Sequence, residues 1–246
     1  MSATILVIDS GLGGKDYIEK LKKLHVYDSS DRLKYKCKLI KPFEHMVSSY
    51  DKKYVRDNLM ALLESYTKPK HTNPNVKIHS VVIACHSASS CILDILIKNN
   101  FMLNKVKIYE PIVPMCLFIQ QQNNTYENKK NKKYKKYKNI LILSTPLTQK
   151  IRWHERLMQL NDANMNVHYI GFPFLAEQLE KNIDYNASLD KLKIKQTFIP
   201  RCDCVVLGCT HFNTIKDELH QELVKKYNFN GIILDSNAVL SNFCIQ

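Results

Sequence analysis

The sequence has no long apolar run. Its longest, such as 5–8 and 81–85, are four or five residues, far short of the roughly 20 that cross a bilayer as a helix. It shows no secretory leader either. The apolar stretch 5–8 has no basic segment ahead of it and runs straight into Asp9, which is the pattern of a buried strand. Acidic residues are scarce, 23 against 36 Lys and Arg, which leaves a net charge of +13. The eight cysteines, without a secretory signal, are expected to be reduced thiols in the cytoplasm and so invite a metal or catalytic reading. With 45% apolar and 24% charged residues, disorder over the whole chain is excluded. A length of 246 residues suffices for one large α/β domain or two smaller ones.

Charge and cysteine point to different functions, so their positions matter. Residues 129–138 hold seven lysines, and without them the excess falls to +6. Together with the aperiodic polar stretch before it, this segment reads as a flexible basic insertion over 120–138. An electrostatic arm for nucleic acid, with Tyr134 and Tyr137 stacking on bases, is one reading. No binding motif accompanies the run, so a solvated linker is preferred and nucleic acid is not an expected partner. Residues 67–79, with two prolines, read as a surface loop.

Four apolar runs, 4–8, 80–84, 139–143 and 204–207, are rich in Val and Ile, as central parallel strands covered on both faces are. Residues 108–113, 167–170 and 231–234 are further strand candidates. Helical spacing appears over 16–24, 54–66, 88–98, 152–160, 174–181 and 214–227. The alternation predicts an α/β protein with parallel sheets. The runs also pair. Thr4-Ile-Leu-Val-Ile-Asp-Ser matches Asn139-Ile-Leu-Ile-Leu-Ser-Thr, and Val81-Val-Ile-Ala-Cys85 matches Val205-Val-Leu-Gly-Cys209. This predicts two pseudo-symmetric lobes, each with a central parallel sheet flanked by helices. The active site would lie in the cleft between them.

Each lobe would present one cysteine at the carboxyl end of a central strand, where open α/β sheets bind ligands. A helix beginning there offers free N–H groups to an anion and is expected to lower the pKa of a thiol. Cys85 and Cys209 could therefore reach opposite faces of one small substrate whose carboxylates dock on the same N–H groups. Cys37, Cys91, Cys116 and Cys244 read as packing. Zinc on Cys202, Cys204, Cys209 and His211 is an alternative, but Cys-x-Cys is not the spacing of a structural zinc knuckle, and no metal is expected. The turn Asp9-Ser-Gly-Leu-Gly-Gly14 follows a strand, yet the third glycine of a dinucleotide fingerprint is replaced by Asp16 and no Gly-Lys-Ser/Thr ending follows. A turn that offers N–H groups to a small carboxylate fits better.

These motifs resemble the aspartate/glutamate racemase family, and within it the glutamate type most closely. The resemblance rests on Asp9-Ser10-Gly11-Leu-Gly13-Gly14, Ala84-Cys85-His86-Ser87 and Gly208-Cys209-Thr210-His211, in family order. Ser144-Thr145-Pro146-Leu147-Thr148 and the segment from Phe172 to Glu180 add weaker matches. Glu110-Pro111 and Asp235-Ser236 resemble the crossings between lobes. They imply a first lobe over 1–112, completed by 236–246, and a second over 113–235. The resemblance implies a cofactor-independent, two-base racemisation of a small acidic amino acid, glutamate favoured over aspartate. Cys85 and Cys209 would move the protons, assisted by Asp9, His211 and Glu180. Ser10, Pro42, Phe43, His86, Ser87, Thr148 and Thr210 would hold the substrate. A homodimer is left open.

The sequence departs from the family pattern at named positions. His86 stands where asparagine is usual, Ser87 where threonine is usual, and Asn213 where proline is usual. Pro42-Phe43-Glu44 stands for Pro-Tyr-Gly. Two alternatives follow: a relative that binds an amino acid without turning it over, and a nucleic-acid binder acting through 129–138.

Overall fold

Every residue from Ile5 to Ile8 is buried, and so is every residue from Val81 to Ala84, from Ile140 to Leu143 and from Cys204 to Leu207. Strands without a polar face must be covered on both sides. The computed structural model, which describes residues 3–23, 35–44, 47–68, 77–129 and 136–245, shows how they are covered. The first half runs β1 (Ala3–Ile8), α1 (Leu12–Lys23), β2 (Tyr35–Ile40), α2 (Lys52–Thr67), β3 (Ile78–Ile83), α3 (His86–Lys98), β4 (Met102–Leu103), β5 (Val106–Tyr109) and α4 (Ile112–Lys129). The second runs β6 (Asn139–Ser144), α5 (Pro146–Ile151), α6 (Trp153–Asn161), β7 (Asn166–Gly171), α7 (Leu175–Lys181), α8 (Asn186–Leu189), β8 (Cys204–Gly208), α9 (Lys216–Tyr227), β9 (Ile232–Leu234) and α10 (Ser236–Ile245).

The strands form two sheets, ordered β2-β1-β3-β5-β4 and β7-β6-β8-β9. All pairings are parallel except that of the two-residue β4 with β5. Strand for strand, β2-β1-β3-β5 repeats as β7-β6-β8-β9. The α/β architecture of two similar parallel-sheet lobes is therefore as the paired sequence runs predict. In each sheet the chain leaves the central pair in opposite directions, so a crevice opens at the carboxyl ends of β1 and β3 and of β6 and β8. Asp9 and Cys85 follow the first pair; Thr145 and Cys209 follow the second.

Three local expectations are corrected. Residues 108–113 are not one strand. β5 ends at Tyr109, and the Glu110 carboxylate accepts the N–H groups of Ile112 (2.7 Å) and Val113 (2.8 Å), which starts α4. The polar stretch 120–128 is not a loop but the second half of α4. Asn123 there is buried and holds Tyr137 through both backbone groups, at 3.0 and 2.8 Å. Tyr137 itself is buried against the core, so it is not available to stack on a base. Tyr134 and residues 130–135 of the lysine run lie outside the described residues, as do 69–76. Among the described residues, no helix is long and apolar enough to cross a membrane.

Candidate active site

Cys85 sits at the N-cap of α3, and Cys209 directly precedes a 3₁₀ turn over residues Thr210–Ile215. Both are buried, and both line one pocket with Ser10, Val47, His86, Ser87, Thr145, Ala176, Thr210 and His211. The repeat in the sequence thus brings two thiols from equivalent strand ends to a common cavity. The cavity is small, about 10 Å³, roughly the room for one water molecule.

The glycine turn packs against the second lobe. Asp9 Oδ1 accepts the Gly11 N–H at 2.9 Å, and its Oδ2 accepts the Thr210 hydroxyl at 3.1 Å. A Cβ at Gly11 would collide with the Glu180 carboxylate, and one at Gly13 with the Thr210 side chain. Close approach requires glycine at Gly13, whereas at Gly11 a side chain would have to displace the Glu180 carboxylate. Burial raises the Asp9 carboxyl above its ordinary range, against the opposing pull of His211.

Glu180 Oε2 accepts the Leu12 N–H at 2.7 Å and lies 3.0 Å from His211 Nε2, while Lys41 stands 3.4 Å from Oε1. Its hydrogen bond with His211 is the main reason its pKa falls to about 2. Burial opposes charge on the His211 ring, but Cys209, Glu180 and Asp9 together outweigh it and push the ring to about 10. The ring thus favours its protonated form, with the Glu180 carboxylate beside it.

At Cys85 the expectation of a lowered pKa is corrected. Burial dominates and, with the negative field of Asp9, holds the thiol well above its ordinary range. The N–H groups of Ala88 and Ser87 pull the other way but do not win. Without a ligand, Cys85 is a thiol.

Around Ser87 a hydroxyl cluster joins the lobes. Its Oγ lies 2.8 Å from Thr145 Oγ1 and 3.4 Å from Thr148 Oγ1. Thr145 also caps α5, its side chain accepting from the Thr148 N–H. Thr148 stands behind this pair and does not line the pocket. Pro42 does not line it either. Phe43 is buried against Tyr50 and Tyr54, with ring centroids 5.6 and 6.4 Å away. It borders a second cavity, which shares Ser10 with the thiol pocket and is also lined by Lys41, Glu44, Glu177, Glu180 and Lys181. Glu44 is exposed there.

Sequence reasoning missed Thr145, Val47 and Ala176 as lining residues. Thr145 could have been found, because Thr-Pro after a strand is a helix-start signal. Val47 and Ala176 carried no chemical mark. Cys202 and Cys204 are buried in different core clusters. Among the described residues no three His, Cys, Asp or Glu side chains are grouped to hold a metal ion.

Fold and pocket together define a two-lobed α/β protein with one thiol from each lobe on a shared, buried cavity. Proteins of this fold are found among known structures. No family model matches the chain. A curated glutamate racemase from Shewanella sp. (strain MR-4) is 27% identical, covering 98% of this chain and 78% of the relative. The structure of Escherichia coli glutamate racemase in complex with L-glutamate and the activator UDP-MurNAc-Ala covers 100% of this chain and 82% of its own, with a TM-score of 0.68 and 19% identity. Picrophilus torridus aspartate racemase gives 0.56 at 16% identity, covering 100% and 93%. The resemblance to the aspartate/glutamate racemase family is borne out: the chain's curated relatives are glutamate racemases, and its fold is theirs.

Proposed function

We propose that the chain is a cofactor-independent racemase that interconverts the L and D forms of a small acidic amino acid, glutamate in preference to aspartate. The observation that carries this is the shared pocket of Cys85 and Cys209. The curated relatives named glutamate racemase support the substrate.

In this reading, one cysteine as thiolate takes the α-proton, and the electron pair left on carbon spreads into the α-carboxylate. The other cysteine, as thiol, delivers its proton to the opposite face. The two sulfurs end with their protonation states exchanged. The carbanionic state needs donors fixed in advance. Ser10, Ser87, Thr145, Thr210 and His86 line the pocket and would supply them, with Thr148 backing the hydroxyl pair. The N–H groups of Ser87 and Ala88 favour the thiolate of Cys85 once a proton leaves it. Asp9 and the His211–Glu180 pair set the charge beside the two thiols. Phe43 and Glu44 line the second cavity, and Pro42 supports that turn. Residues 1–112 with 236–246 would make the first lobe and 113–235 the second, α10 returning to pack on α1.

The test is incubation with L-glutamate, D-glutamate and aspartate separately in deuterated water. Optical rotation should decay with deuterium entering at the α-carbon. Cys85→Ala and Cys209→Ala should each abolish racemisation. Glu44 in the second cavity and His86 in the wall keep a second reading open, a protein that binds the amino acid without turning it over. Saturable binding without deuterium entry would select it.

A further inference from the structure

His86, in the pocket wall, stacks on His154, a residue that the proposed reaction does not use. Both rings are fully buried, at 1% and 0% exposure. They stack with centroids 5.6 Å apart and planes 18° from parallel. Neither nitrogen of either ring has a hydrogen-bond partner among the described residues. Leaving a buried polar atom unpaired costs about 1–3 kcal/mol, so such atoms in a native protein signal a missing partner. His86 lines the thiol pocket and His154 does not. His86 thus stands in the wall where a substrate would sit, with both ring nitrogens unpaired.

The stack also joins the two halves of the molecule, His86 opening α3 and His154 lying in the first turn of α6. Next to it, Trp153 Nε1 donates to the Ser90 carbonyl of α3 at 3.0 Å, which fixes one helix start against the other. The other side of His154 meets the edge of Tyr169, with centroids 6.4 Å apart. The His154 ring is held between a core tyrosine and the pocket wall.

We propose that His154 is a positioning residue: stacked on His86 across the lobes, it holds that ring against the thiol pocket so that an imidazole nitrogen meets the bound amino acid. This rests on the racemase reading for the identity of the ligand but not for the stacking itself. Asparagine, usual at this place in the motif, has a short side chain that needs no such support. A histidine there brings a flat ring that must be braced.

The experiment measures kcat and KM for glutamate in the wild type, His154→Ala, His154→Phe, His86→Leu and the double variant His86→Leu/His154→Ala, with melting temperatures alongside. His154→Ala should raise KM about tenfold with kcat within threefold. His154→Phe, which keeps a stacking face, should hold KM within threefold of the wild type. On the His86→Leu background, His154→Ala should add less than twofold. An unchanged KM in His154→Ala overturns the proposal. So does the same penalty on both backgrounds, or a folded His154→Phe that behaves like the alanine variant. Spectra of ¹⁵N-histidine-labelled protein judge it without turnover. The His86 ring signals should broaden or split in His154→Ala and stay sharp in His154→Phe, and unaltered signals in both would overturn it. A wild type that exchanges no α-proton refutes the racemase reading, and the spectra still decide the role of His154.

Discussion

At His211, burial and the surrounding acidic groups act in opposite directions on the charge of the ring. Burial alone would neutralise the ring, but Cys209, Glu180 and Asp9 raise it to about 10, and Glu180 in turn drops to about 2. The stabilisation from the raised ring is complete below its ordinary value of 6.5 and is lost as pH rises through about 10. That from the lowered carboxyl is complete above 4.5 and is lost as pH falls through about 2. Both describe one interaction and are not to be added. His211→Gln should therefore destabilise most at pH 5–6, and the difference from the wild type in urea unfolding should fade by pH 10 to 11. Gly11→Ala tests the same pair sterically. Its methyl would displace the Glu180 carboxylate, and kcat/KM should drop tenfold or more, about 1.4 kcal/mol of transition-state stabilisation. A drop below twofold would show that Glu180 can move aside without loss.

At the scale of the element, the crossing into α4 depends on a carboxyl that burial raises to about 7. A folded-state pKa above the ordinary 4.5 means that the folded form binds the proton more tightly. Stability therefore falls as pH rises from 4.5 to about 7 and then levels off. In Glu110→Gln this slope should vanish, as followed by melting temperature across pH 4 to 8. At α5, Thr145 both caps the helix and faces Ser87. Thr145→Val should cost about 1 kcal/mol of stability through the lost cap, measured by denaturant unfolding. The elements that sequence made legible are those with one unambiguous physical signature. The buried runs of β1, β3, β6 and β8 are unbroken apolar stretches of Val, Ile and Leu, and no other use of them survives. β2 was not legible, because its Tyr-Lys-Cys-Lys alternation at a sheet edge looks like ordinary surface. The far half of α4 was missed because it has no apolar periodicity and its asparagines favour loops on propensity, whereas Asn123 is fixed by its bonds to Tyr137. In the site, Cys85 and Cys209 were found through repetition. The effect of burial on Cys85 was not, because desolvation depends on what packs around a thiol and not on the helix that follows it.

For the whole molecule, the pocket is the constraint. A cavity of about 10 Å³ is too small for glutamate, so the proposed reaction requires the pocket to widen as substrate enters. A ligand that binds the folded state stabilises it by mass action, about 2.7 kcal/mol at a hundredfold excess over Kd. Saturating D- or L-glutamate should raise the melting temperature by several degrees. Glutamine, which has the same shape but a neutral end, should raise it less. Equal shifts would count against recognition of the side-chain carboxylate.

For a racemase of the kind proposed, the matched winding of the two sheets has a consequence for tuning. Mirror-image substrates have equal free energies, so the equilibrium constant is one, and the ratio kcat/KM must be the same in both directions. No substitution can make this protein prefer one hand in that ratio. The sheets repeat, but their decorations do not: Glu180 and His211 attend Cys209 alone, while His86 follows Cys85. Such asymmetry can only redistribute each direction's performance between saturation and turnover. A variant at His211 or His86 can slow one enantiomer at high concentration, but kcat/KM must still change by the same factor for both hands.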